Sequence, residues 1–139
     1  MININELRVG NTIYQLLNPT DYKNPVLNSL NQVRAKVEHE VQVKTIDLES
    51  KSVNGLGIDN FSPIPLTIER IESLGFWEQN DGRYSLDLPY QLQKLEMDSD
   101  NEFWLYVAPD SEASLGIKLH LHELENLYFS ITGKELGKQ

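Results

Sequence analysis

Residues 61–76 read FSPIPLTIERIESLGF, and the fold turns on how this stretch is divided. Pro63 and Pro65 fix their own φ and push the residue before each into extended backbone. Thr67 then stands as an N-cap, with its hydroxyl placed to accept a backbone N–H of the first helical turn. Leu66 before the cap and Ile71 after it have the spacing of a hydrophobic staple. Ile68, Ile71 and Leu74 form the buried stripe of a short helix, which Gly75 stops by tolerating the left-handed conformation. Phe76 is expected to fold back on the last turn. An extended segment therefore ends here, a capped helix follows, and a new run of structure begins. The chain is predicted to divide into 1–62, an N-terminal β unit, and 63–139, a helix, β meander and C-terminal helix, within one compact domain.

Upstream, Leu7 to Asn11 reads as a turn into a strand over Thr12 to Leu17. Residues 18–32 are rich in Asn and Pro without a period and read as a loop. Val33, Ala35, Val37, His39, Val41, Val43 and Thr45 then alternate with Arg34, Lys36, Glu38, Glu40, Gln42 and Lys44. Period two over this length is the clearest strand signal in the chain, as one bent strand or two broken near His39. Glu49 to Ser52 reads as a turn and Val53 to Ile58 as a short return strand. Strands joined by tight turns predict a small, partly open, barrel-like antiparallel unit.

Downstream, Asp81-Gly82 marks a hairpin between Phe76–Glu78 and Arg83–Leu88. Further strands are predicted over 90–97, 102–107 and 115–119, with turns at 98–101 and 109–114. A helix starts near Leu121 and stops at Gly133. Leu121, Leu124, Leu127, Tyr128 and Ile131 cluster on one side of it at about 100° per residue. Phe129 falls outside this stripe, near His122, Glu125 and Asn126, so something is expected to cover it: the same chain or a second molecule. The fold class is therefore α+β.

The chain has 139 residues, 12 Lys and Arg against 21 Asp and Glu, and a net charge of −9. This balance disfavours non-specific nucleic-acid binding, which needs clustered cations to release counterions. It equally disfavours an anionic membrane surface. An acidic decoy for a DNA-binding protein would need its carboxylates in ordered rows, whereas here they are spread along the chain. With no cysteine, disulfides, thiolate metal sites and cysteine nucleophiles are excluded. The N-terminal ten residues lack the basic flank and apolar core of a signal peptide, and no run is long enough to span a membrane, so a cytoplasmic protein is expected.

Few residues carry a recognisable chemistry. His120 and His122, with Glu123 and Glu125, invite a zinc reading, but a site needs at least three ligands converging at roughly 2.0–2.2 Å. Asn126 also stands where a zincin motif requires its second His. Asp98 to Glu102 is oxygen-rich but lacks the glycine and spacing of a calcium loop. No phosphate-binding glycine loop and no nucleophile elbow is present. No catalytic residue, cofactor or metal is therefore assigned, with His120 and His122 the alternative metal ligands. Among the aromatics, Trp104 and Tyr106 point to one face of a strand and Phe103, Leu105 and Val107 to the other. That pattern is either a central strand covered on both sides or an exposed stacking surface for a sugar or peptide.

Leu7-Arg8-Val9-Gly10-Asn11, Pro63-Ile64-Pro65-Leu66-Thr67, Leu74-Gly75-Phe76 and His122 to Leu136 together resemble a family of small uncharacterised Bacteroidetes proteins, often prophage or mobile-element associated. The chain departs from it in Glu123 and Glu125, where Gln is more usual, and in the longer segment 18–32. The resemblance implies organisation and bacterial origin and transfers no catalytic residue. The expected function is a non-enzymatic interaction or accessory protein with a protein partner or a second copy. Phe129, His122, Glu125, Asn126, Trp104 and Tyr106 are its candidate contacts. The alternative is a small metal-dependent hydrolase or ligand-binding protein using His120 and His122.

Overall fold

The computed structural model describes residues 2–17, 37–89, 93–108 and 111–137, with backbone alone at 17, 37, 106–108 and 111–115. The architecture is α+β, and the chain forms two compact units, Met1–Ile64 and Pro65–Gln139.

In the first unit, β1 (Thr12–Leu17) is the middle strand of a three-stranded sheet, with β2 (Val37–Gln42) on one side and β6 (Phe61–Ser62) on the other, both antiparallel. The turn before β1 is built by Asn11, which is fully buried. Its Oδ1 accepts from Arg8 N at 2.7 Å, and its carbonyl accepts from Val43 N at 2.8 Å. Gly10 supplies the positive φ (100°) that the turn requires. Ile2, Ile4, Ile13, Val43, Val53 and Phe61 form the core.

A second sheet holds β3 (Ile46–Asp47), β4 (Ser52–Val53) and β5 (Leu56–Gly57) in order. One expectation is corrected here. Val53 to Ile58 is a hairpin rather than one strand. Asn54 and Gly55 have φ of 52° and 81°, the signs of the turn that matches strand twist, and Val53 pairs with Leu56. The unit also holds two separate three-stranded sheets and, among the described residues, no closed barrel. The alternating segment 33–45 lies outside the described residues up to Lys36. From Val37 it runs unbroken through His39 and leaves the ladder only after Gln42. There the Asn54 side chain takes over its backbone groups, accepting from Lys44 N and Thr45 N and donating to Gln42 O at 2.8 Å.

In the second unit, α1 (Ile68–Ser73) is capped by Thr67, whose side chain accepts from Arg70 N at 3.2 Å. At its other end Gly75 N donates to Glu72 O and Phe76 N to Ile71 O, the paired bonds of a Schellman stop. Ile71 and Phe76 share one core cluster, and Leu66 packs against it. Five antiparallel strands follow as a meander: β7 (Trp77–Glu78), β8 (Tyr84–Asp87), β9 (Lys94–Met97), β10 (Phe103–Ala108) and β11 (Ser111–Ile117). Residues 109 and 110 of the expected turn 109–114 lie outside the described residues, and the rest of it belongs to β11. Of the strand expected over 90–97, residues 90–92 lie outside them.

Two hairpins share a design. Gln79 N donates to Arg83 O and Asp98 N to Glu102 O, each closing a three-residue loop. The last loop residue, Gly82 or Asn101, has positive φ. The inner sheet face carries Tyr84, Leu86, Leu95, Met97, Phe103 and Leu105. It packs with Ile71 of α1 and with Leu124 and Tyr128 of α2 (Leu121–Thr132). Phe76 meets Phe103 edge to face at 6.3 Å.

Candidate functional site

His120 is the N-cap of the C-terminal helix. Glu123 Oε1 accepts from His120 N at 2.9 Å and lies 2.8 Å from His120 Nδ1. Burial pushes the Glu123 carboxyl up, but the bonds from His120 outweigh it and hold the group below its ordinary value. Gly133, at φ 71°, ends the helix. Leu121, His122, Leu124, Glu125 and Tyr128 are the buried positions, while Leu127 and Ile131 are only half-buried. The expected stripe packs on the sheet core through Leu124, Leu127, Tyr128 and Ile131, and burial extends beyond it to His122 and Glu125. His122 is 2% exposed and Glu125 5%, so these two candidates offer little surface to a partner. Asn126 is half-buried, and Phe129, 36% exposed, remains the accessible apolar residue of this region. The rings of His120 and His122 are nearly parallel, with centroids 6.2 Å apart. Among the described residues no group of three or more His, Asp or Glu side chains is placed to hold a metal ion.

The outer face of the five-stranded sheet is the more structured candidate. Trp77 pairs with Ser85, Ser85 with Glu96, and Glu96 with Trp104. Residues directly opposite in antiparallel strands project to the same side. Both tryptophans of the chain therefore lie in one cross-strand row, opposite the face that α2 covers. Trp77 is 48% exposed and Trp104 half-buried. Tyr106 shares the strand, but its side chain lies outside the described residues.

Trp104 is seated. Phe103 pairs with Ile117 and Leu105 with Ala113, so residues 114–116 together oppose Trp104 alone. This bulge bends β11, and Gly116 sits in it at φ 57°. A Cβ at Gly116 would lie 3.0 Å from Cη2 and 3.2 Å from Cζ2 of Trp104, so the outer edge of the six-membered ring abuts the glycine. At its other edge Trp104 Nε1 donates to Asp98 Oδ2 at 2.8 Å. Asp98 Oδ1 accepts from the backbone N–H of Asp100 and Glu102. Burial raises the Asp98 carboxyl, but these three bonds, aided by the Arg83 charge, bring it below its ordinary value.

Between the indoles lies a polar network that the sequence analysis did not single out. Glu96 is 3% exposed. Its Oε1 accepts from Gln79 Nε2 at 2.6 Å and from Ser85 Oγ at 3.1 Å, and Lys94 Nζ is 3.2 Å away. Gln79 Nε2 also donates to Ser85 Oγ. Arg83 reaches Glu96 Oε2 at 3.6 Å and Asp81 at 3.2 Å. Burial pushes the Glu96 carboxyl up, yet the bonds from Gln79, Lys94 and Ser85 prevail and hold it below its usual range. It is therefore a carboxylate at neutral pH, an acceptor rather than an acid. The available signal was a charged residue between Leu95 and Met97 in a strand whose two neighbours point to the core. Comparison with protein-family models, curated proteins and solved structures finds no match to any of them.

Proposed function

We propose that this chain is a non-catalytic interaction module that binds through the outer face of its C-terminal sheet. One observation carries the reading: Trp104 is held between Gly116 and Asp98, in the same row as the exposed Trp77. An indole held at both edges gives up little conformational freedom when a partner covers it, which favours binding. Between the indoles the buried Glu96 carboxylate is held by Gln79, Ser85 and Lys94, as befits a rigid platform more than a reacting centre. An accessory role in a mobile element, as the resemblance to small Bacteroidetes proteins implies, belongs to the same proposal. For the alternative, a small metal-dependent hydrolase or ligand-binding protein using His120 and His122, the described residues offer no group of three metal ligands.

The test is retention of material from an extract of bacterial host cells by immobilised protein. Wild type should retain a discrete component that Trp77→Ala loses while its melting temperature stays unchanged. Equal retention by Trp77→Ala would remove the sheet face from the function.

A further inference from the structure

The chemistry of this face narrows the ligand class. From the row Trp77, Ser85, Glu96 and Trp104 we infer that, if the outer face is the binding surface, its ligand is a neutral oligosaccharide laid across β7 to β10, with one sugar ring on each indole. The two tryptophans stand three strand spacings apart, roughly 14 Å at about 4.8 Å per spacing. That span exceeds a single sugar ring and suits a short chain of them. A pyranose presents a flat patch of C–H groups, which packs on the electron-rich face of an indole.

Hydroxyl groups both donate and accept, so they need a surface carrying both kinds of partner. Arg83 and Lys94 supply donors, while Asp81 and Asp98 supply acceptors, and all four belong to the strands and hairpins between the tryptophans. The mixture of signs has no preference for a polyanion. A nucleic acid would stack on the same rings, but its phosphates meet a chain of net charge −9. A protein partner would favour a continuous apolar patch, and here charged side chains separate the two indoles.

The experiment is intrinsic tryptophan fluorescence and calorimetric titration of the full chain against neutral gluco-, xylo-, manno- and chito-oligosaccharides from one to six units. The expected result is saturable binding to one series, with the hexamer at least about tenfold tighter than the monomer because two rings engage at once. Trp77→Ala should abolish that gain with length while unfolding at the wild-type temperature. Binding that is equal in Trp77→Ala, or that requires a sulfated or uronic chain and vanishes in salt, would overturn the inference. So would no binding to any series. If the extract component is retained in a Trp77-dependent manner in that last case, the interaction face stands and only the ligand class falls.

Discussion

Trp104 Nε1 donates to Asp98 Oδ2 at 2.8 Å, six residues away across the β9–β10 hairpin. The same carboxylate orders the hairpin loop through its Oδ1. One side chain thus couples the turn that sets the strand register to the orientation of the indole. Asp98→Asn keeps an acceptor for the loop but sets an amide N–H₂ against the indole N–H. The variant should lose about 1.5–3 kcal/mol, the scale of a hydrogen bond to a charged group. Chemical denaturation measures the loss. A blue- or red-shifted emission spectrum relative to Trp77→Ala reports the freed indole.

Gly116→Ala meets two obstacles. Its φ of 57° costs a residue with a Cβ roughly 1–2 kcal/mol, and that Cβ would press on the Trp104 ring. Thermal unfolding should show a loss larger than Gly82→Ala, whose position also has positive φ but open space around it. Equal losses at the two positions would mean that the ring is not seated on Gly116.

Glu96 links stability to acid. Its carboxyl is held below its ordinary value in the folded chain. A lowered native value contributes stability that is present above the unfolded value and disappears as the pH falls through the native one. Unfolding free energy should therefore decline as the pH drops below about 4.3. Glu96→Gln should be less stable than wild type at pH 7, and the difference should shrink in acid. Parallel pH profiles for the two proteins would show that Glu96 is not the group responsible.

The cap on α1 gives a smaller effect. Thr67 accepts from Arg70 N at 3.2 Å. Thr67→Ala should cost about 1 kcal/mol and Thr67→Ser much less, because the hydroxyl is what the helix end needs. Urea midpoints of the three proteins make the comparison.

The packing face of α2 is tested by ranking two truncations. Leu124 is fully buried in the inner core, whereas Phe129 keeps a third of its surface. Leu124→Ala should cost about 2–5 kcal/mol. Phe129→Ala should cost less than about 1.5 kcal/mol, a partial share of full burial. The reverse order would place the helix on its other face.

Local chemistry was legible from the residues alone. Thr67, Gly75, Gly82 and Gly133 mark caps, stops and turns because each conformation there is decided within four or five residues. Asn54-Gly55 carries the same kind of signal, and the hairpin it makes follows from backbone preference alone. The alternation of Phe103, Trp104 and Leu105 fixed which residues share a sheet face, since the period of a strand is two. What the residues could not decide was set by partners distant in sequence. The apolar stripe of α2 marks the side that joins Leu95, Met97 and Phe103 in the core, but it does not show that His122 and Glu125 beside it are buried as well. Glu96 looks like a surface charge until the register puts Ser85 beside it and the hairpin brings Gln79 and Arg83 over it. Trp104 and Gly116 are twelve positions apart, and only the bulge in β11 turns that glycine into the seat of the ring. Hydrogen bonds and ring contacts act over a few ångströms of space, so pairings between strands become visible only once the chain has brought those strands together.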